Sequence, residues 1–217
     1  MEDRLGFVRK VYGILTAQLL ITAFMCCIPA FHEPTRLWLK DNVWLLIVSF
    51  VVWIVTLCCV FCSKKMARTV PWNYLILLVF TVSMGEIVMY CTSLYEPKSV
   101  LAAAGMTLMV VLGLTVYVYN TKDEINYSSA GCSIVAFALS TMCLFMAFSD
   151  VNRSHAFYSC MFCIMFGFYI VYDTHQIMGG GHHEIDSEDY IIASMIIYLD
   201  IINLFLHVLK LMGEKRN

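Results

Sequence analysis

The stretch VWLLIVSFVVWIVTLCCVFC, residues 43–62, contains no charged side chain. A helix of about 20 apolar residues is long enough to cross the hydrocarbon core of a bilayer. Six further stretches have similar length and few or no charges: Val11–Phe31, Trp72–Tyr95, Val100–Asn120, Gly131–Phe148, Ala156–Met178 and Tyr190–Leu209. The sequence therefore predicts seven membrane-spanning segments.

The composition supports a membrane protein. The chain is 60% hydrophobic and only 14% charged, whereas soluble domains carry about 25% charged residues. Lipid offers no partners for backbone polar groups, and barrel strands would alternate in polarity, so the spanning elements are expected to be helices. Short connections leave no room for a soluble domain. We expect one all-α domain over residues 1–217, in a lipid bilayer, and the net charge of −2 argues against a nucleic-acid partner.

The cysteines fall almost entirely inside the apolar segments. Cys59 with Cys62, and Cys160 with Cys163, have the C-x-x-C spacing of metal and redox sites. Within apolar helices, cysteine more often serves as a small, polarizable packing residue. We therefore interpret these pairs as packing residues.

The distribution of basic residues leaves two topologies open. With seven crossings, seven lysines and arginines fall on the membrane face of the N-terminus and seven on the opposite face. Only four of the latter precede the C-terminal tail. Without the tail, the count favours a cytoplasmic N-terminus. If the last segment were re-entrant, the tail would join the N-terminal side. With a cytoplasmic N-terminus, the sequon at Asn126 is cytoplasmic and that at Asn152 is lumenal.

Three carboxylates interrupt the apolar segments: Glu86, Asp173 and Asp200. A charge at the centre of a spanning helix costs about 2.5–3.5 kcal/mol on insertion scales, so each is a candidate functional residue. The structural alternative is an interhelical hydrogen bond that only fixes packing. Asn203 and His207 share the helical face of Asp200, which predicts a polar stripe facing the bundle interior or an aqueous cavity.

The last two segments are expected to form an antiparallel hairpin. Asp186 or Ser187 can cap the start of the last helix, where Glu188 and Asp189 suit the helix dipole. Asp173 and Asp200 then approach each other. Two neighbouring carboxylates with little water cannot both ionise easily, so they are predicted to share a proton and latch the two helices. Once ionised, their oxygens suit Ca²⁺.

Several motifs resemble one family. They are GFYIVYDTHQIM (residues 167–178) and SEDYIIASMIIYLDIINLFLHVLKLMG (187–213), supported by FVRKVYGILTAQLL (7–20), PWNYLILLVFT (71–81) and LGLTVYVY (112–119). The chain is similar to the transmembrane Bax inhibitor motif family, above all to the Golgi anti-apoptotic proteins of its lifeguard branch. The similarity extends from Phe7 over the rest of the chain.

The resemblance implies a seven-helix bundle with the last helix central. It also implies a pH-sensitive Ca²⁺ leak channel of an internal membrane, Golgi or endoplasmic reticulum, that lowers stored Ca²⁺ and inhibits apoptosis; the plasma membrane is also compatible. Asp173 and Asp200 match the family's aspartate pair, which implies a pH sensor and transient Ca²⁺ ligands. Lys64, Lys65 and Arg68 are candidates for the basic residue associated with that pair.

The third-span acid departs from the pattern. Glu86 lies about two residues from the position where related lifeguards place their acid. It remains a candidate pathway residue, together with Asn203 and His207.

Two other functional classes compete with the channel. One is a non-conducting regulator of cell death that binds other membrane proteins. The other is an intramembrane enzyme or receptor, but the sequence has no H-E-x-x-H or G-x-S-x-G motif, and Lys210 lies at the end of the last segment, where it could not hold retinal. We therefore expect no enzyme and no cofactor, with Ca²⁺ as the permeating ion.

Overall fold

The computed structural model describes residues 2–62, 68–120, 153–178 and 188–216. These ranges contain seven helices: α1 (Glu2–Phe31), α2 (Glu33–Asp41), α3 (Val43–Cys62), α4 (Trp72–Ser93), α5 (Pro97–Asn120), α6 (Arg153–Met178) and α7 (Tyr190–Met212). They contain no strand, only an isolated β-bridge between Tyr95 and Lys215. The described part of the chain is all-α, as the sequence predicts.

Five of these helices are long and apolar enough to cross a membrane. The stretches are Gly6–Phe31, Val43–Val60, Trp72–Ser93, Pro97–Val116 and Tyr190–Met212. They coincide with five of the predicted spans. The predicted Ala156–Met178 segment lies within α6, a helix of 26 residues that is not among the five. The predicted span Gly131–Phe148 lies outside the described residues.

Helix α2 was not predicted. It lies in the connection between the first two spans, which the sequence analysis treated as a short loop. The usual signals of a helix are present: Pro34 and Glu33 in its first turn and Lys40 in its last. It buries Arg36 and Leu39. The helix is short and amphipathic, so the search for long apolar segments missed it.

One compact unit consists of Met1–Pro97, Asp186–Tyr198 and Lys215–Asn217. In it, α4 packs against both α1 and α3. A Cβ atom at Gly85 would lie 2.7 Å from Met25 Sδ, so glycine permits a close approach of α1 to α4. Phe80 and Tyr198 are fully buried and meet edge to face, with ring centroids 5.9 Å apart.

Hydrogen bonds between side chains cross the core of this unit. Gln18 Nε2 donates to Thr81 Oγ1 over 3.0 Å, joining α1 to α4. The hydroxyl groups of Thr22 and Tyr198 lie 2.7 Å apart, joining α1 to the first half of α7. Interhelical bonds of this kind contribute about 0.6 kcal/mol on average in membrane proteins, so they fix helix positions more than they add stability.

The second unit consists of Lys98–Ile185 and Leu199–Glu214, and thus holds α5, α6 and the second half of α7. The rings of Phe166 on α6 and His207 on α7 lie 5.4 Å apart. Helix α7 is the most buried candidate span. In its apolar stretch of 18 residues, 67% of the residues are buried, compared with at most 44% in the other four helices.

Candidate functional site

The two acids of the second unit lie together. Asp173 is near the end of α6, Asp200 is in the middle of α7, and their carboxyl groups are close enough to interact. A hydrogen bond between them would require a proton on one carboxyl group, because two carboxylates have no hydrogen to share. This proximity was expected from the antiparallel arrangement predicted for the last two segments. The function of the pair as a sensor stays a prediction.

The pair is set among apolar neighbours. Asp200 is only 8% exposed and is followed by the buried Ile201 and Ile202. Within the described ranges, Asp200 Oδ2 and the Thr174 hydroxyl, which is adjacent in sequence to Asp173, are enclosed and receive no hydrogen bond. Buried polar atoms are normally satisfied, so each of these two atoms retains unused hydrogen-bonding capacity.

The other polar residues of α7 bond to their own helix. Asn203 Nδ2 donates to the Leu199 carbonyl oxygen over 2.8 Å. His207 Nδ1 lies 2.8 Å from the Asn203 carbonyl oxygen, a geometry in which Nδ1 is the donor. Both side chains are half-buried. Part of their hydrogen-bonding capacity is thus used within α7, and a polar stripe that faces the bundle interior or a cavity stays a prediction.

Glu86 belongs to the first unit. It is half-buried on α4, and the buried Ser49 of α3 donates to its Oε2 over 2.6 Å. This contact joins two predicted spans. A part in an ion pathway stays a prediction for Glu86.

Arg68 holds the start of α7. Its Nε and Nη2 donate to the two carboxylate oxygens of Asp189 over 2.7 and 2.9 Å, and its Nη1 donates to Glu188 over 2.9 Å. A two-pronged arginine–carboxylate contact is among the strong, geometrically specific ion pairs. The sequence analysis placed Glu188 and Asp189 at this helix start but gave no signal for their bond to Arg68, about 120 residues away in sequence.

The basic partner of the aspartate pair stays a prediction. Arg68 has Asp189 and Glu188 as partners, and Lys64 and Lys65 lie outside the described residues. The predicted capping residues Asp186 and Ser187 also lie outside them.

The residues that follow α7 are attached to two other connections. Arg216 Nη2 donates to Glu33 on α2 over 2.6 Å, and the Arg216 backbone N–H donates to the Leu94 carbonyl oxygen over 3.0 Å. Arg36 also binds the Glu33 carboxylate. The bond from Arg36, together with the charge of Arg216, lowers the pKa of Glu33 below its ordinary value. This tail clasp, Glu33 with Arg36 and Arg216, was not predicted.

The described residues offer no ready-made metal centre. No group of three or more histidine, cysteine, aspartate or glutamate side chains gathers among them. A resident Ca²⁺ ion takes six to eight oxygen ligands.

Residues 4–217 match the family model described as an inhibitor of apoptosis-promoting Bax1. The chain belongs to the Bax inhibitor and lifeguard family. It is 34% identical to human Protein lifeguard 3 over 213 residues, which are 96% of this chain and 68% of that protein. The chain is 31% identical to mouse Protein lifeguard 3 over 98% of this chain and 70% of that protein. The chain is also 31% identical to Bax inhibitor 1 of Schizosaccharomyces pombe, over 99% of this chain and 78% of that protein.

Membership of the Bax inhibitor and lifeguard family confirms the resemblance found in the sequence motifs. It agrees with the five helices that are able to span a membrane. Members of the family are membrane proteins that regulate apoptosis rather than known enzymes.

Proposed function

We propose that this protein is a pH-sensitive Ca²⁺ leak channel of an internal membrane, which lowers stored Ca²⁺ and thereby inhibits apoptosis. The observation that carries the proposal is the proximity of Asp173 and Asp200 between α6 and α7. An apolar helix gains nothing from an acid at its centre unless the acid has a partner or a task. The pair supplies both.

The pair acts as a latch. With one shared proton, the two carboxyl groups attract each other and hold α6 against α7. When that proton leaves, two negative charges face each other in a poorly solvated place, and their repulsion favours separation of the two helices. Acidification therefore closes the latch, and a rise in pH opens it.

The same acids give Ca²⁺ a path. Once ionised, they present four oxygens, one of which, the buried Asp200 Oδ2, has no hydrogen-bond partner. Asn203 and His207 continue the polar face along α7. We propose all of them as pathway residues, with Glu86 as a further acid in the first unit.

Seven crossings are proposed, and the contacts at the ends of α7 favour a full last crossing over a re-entrant one. If α1, α3 and α4 each cross once, Arg68 lies on the face of the N-terminus, whereas Glu33 and Leu94 lie on the opposite face. Helix α7 starts at a contact with Arg68, and its tail reaches Glu33 and Leu94. Its 23 residues measure about 35 Å, enough to span the hydrocarbon core.

The remaining parts of the proposal concern position and orientation. The high burial of α7 supports a central place for the last helix. The distribution of lysine and arginine supports a cytoplasmic N-terminus. The resemblance to Golgi anti-apoptotic proteins favours the Golgi or the endoplasmic reticulum, with the plasma membrane as the alternative location.

Ca²⁺ flux from purified protein tests this function. The chain is reconstituted into liposomes that contain a Ca²⁺ indicator, with protein-free liposomes as the control. A leak channel admits Ca²⁺ without any other protein, and it admits more at higher pH. If well-folded protein gives no flux at any pH between about 5 and 8, the channel is wrong and the family function is exerted through binding to other membrane proteins.

A further inference from the structure

Two cysteines continue the lipid-facing stripe of α3. Ile47, Val51 and Val55 are 53–62% exposed, and in a bilayer these side chains meet lipid. Cys58 and Cys62 follow at helical spacing on the same face, and both are exposed free thiols. Their neighbour Cys59 lies on a different face of the helix and is half-buried, so its thiol is less accessible than those of Cys58 and Cys62.

These thiols lie at the end of their helix. Cys62 is the last residue of α3, and Cys58 is about one turn before it. Lys64 and Lys65 follow in the sequence. Basic residues beside a span favour the cytoplasmic face, which places both thiols at the cytoplasmic edge of the bilayer. Juxtamembrane cysteines at such an edge are typical acceptors of reversible S-acylation.

We propose that Cys58 and Cys62 are S-acylation sites that accept a long-chain acyl group from acyl-coenzyme A. The cysteine sulfur attacks the thioester carbonyl carbon, and a new sulfur–carbon bond forms as the bond to coenzyme A breaks. The thiol proton leaves with the coenzyme A sulfur. The apolar stripe of Ile47, Val51 and Val55 gives the attached chain a surface along which to lie within the membrane.

The chain offers a matched control. Cys27 is also an exposed free thiol, four residues before the end of α1 at Phe31, just as Cys58 is four residues before the end of α3. Because α1 and α3 run in opposite directions through the membrane, Cys27 lies at the opposite face. Acyl-coenzyme A is a cytoplasmic donor, so Cys27 is expected to remain a free thiol. The proposal rests on the cytoplasmic N-terminus proposed above, but not on Ca²⁺ conduction.

The test is a mass-tag exchange on the full chain expressed in eukaryotic cells. Free thiols are blocked, thioesters are cleaved with neutral hydroxylamine, and each released thiol is joined to a polyethylene glycol maleimide. We expect two hydroxylamine-dependent band shifts in the wild type and in Cys27→Ala. We expect one in Cys58→Ala and in Cys62→Ala, and none in the double variant.

Three outcomes would overturn the assignment: no shift in the wild type, shifts that persist in the double variant, or shifts that disappear in Cys27→Ala. Substitution on the lipid-facing side should leave folding intact, which size-exclusion chromatography verifies. Ca²⁺ flux of unacylated protein in liposomes is a separate readout, so failure of either proposal can be told from failure of the other.

Discussion

Asp200 places a carboxyl group, 8% exposed, in the middle of the most buried candidate span. An ionised group there would lack solvent, while a neutral one still needs a hydrogen-bond partner. In the proposed latch, Asp173 meets both requirements, because a proton shared between the two acids would remove one charge and supply one bond. The contact is then expected to be stable in one protonation state and repulsive in the other.

Glu86 is a proposed pathway residue in the first unit. If it belongs to the pathway, Glu86→Gln should reduce Ca²⁺ flux in liposomes, because the amide retains an oxygen for Ser49 but loses the negative charge. Ser49→Ala is the matched control, since it removes the hydrogen bond and keeps the carboxylate. Flux that is unchanged in Glu86→Gln, or lost equally in Ser49→Ala, would make the residue a packing contact.

Glu33 gives the tail clasp a defined pH dependence. Its pKa is lowered in the folded protein, first by the bond from Arg36 and then by the charge of Arg216. A lowered pKa contributes stability above the ordinary value, and this contribution is lost as the pH falls through the lowered pKa. Glu33→Gln should therefore lower the unfolding temperature at about pH 7, and this loss should shrink as the pH falls below the ordinary glutamate pKa of about 4.3.

The control for this measurement is Asp41→Asn, an exposed acid in the last residue of the same helix. An acid at a helix C-terminus is unfavourable to the dipole, so its neutralisation should not destabilise at about pH 7. An effect of Glu33→Gln that does not change as the pH falls would show that the carboxylate is not held by the two arginines.

At the scale of elements, α7 is fixed at both ends within the first unit. Removal of the anchor at its start, Asp189→Ala, should lower the free energy of unfolding by about 1–3 kcal/mol, because it breaks a partly buried two-pronged bond to Arg68. Glu188→Ala is the control, since that side chain is 69% exposed and should contribute much less. Denaturation in detergent micelles compares them. A larger loss in Glu188→Ala would contradict the anchor.

The sequence defines elements well where one physical effect dominates. Both ends of α3, Val43 and Cys62, were predicted from hydropathy alone, because the absence of charge marks the extent of a span. Helix α2 was missed because its short amphipathic pattern competes with the ordinary composition of a loop. The proximity of Asp173 and Asp200 was predicted because the last two segments were expected to run antiparallel. The bond between Arg68 and Asp189 could not be predicted, because no local sequence pattern links two residues that are so far apart in the chain.

For the whole molecule, the N- and C-termini are expected on opposite faces of the membrane. A glycosylation sequon attached through a flexible linker after Asn217 should be modified in eukaryotic cells, whereas one attached before Met1 should not. The native Asn126 should stay unmodified, because the proposed orientation puts it in the cytoplasm. Loss of mass on deglycosylation reports each site. A glycan on Asn126 or on the N-terminal sequon would show that the orientation is the reverse of the proposed one. A glycan on the C-terminal sequon in addition to one of these two would place both termini on the same face and exclude seven crossings.

The central claim is that Asp173 and Asp200 form one proton-controlled latch. Asn at either position keeps the side-chain shape but removes the shared titration. We therefore expect Asp173→Asn and Asp200→Asn each to lose most of the pH response of Ca²⁺ flux, and the double variant to add little, as is usual for residues that act as a unit.

The measurement is Ca²⁺ entry into liposomes between about pH 5 and 8, with the wild type, both single variants and the double variant compared at equal protein content. Folding of each is verified by its elution profile and thermal unfolding. We expect flux that rises with pH in the wild type and a nearly flat profile in all three variants. A well-folded double variant that retains the wild-type pH profile would contradict the latch and leave the two acids as a packing contact.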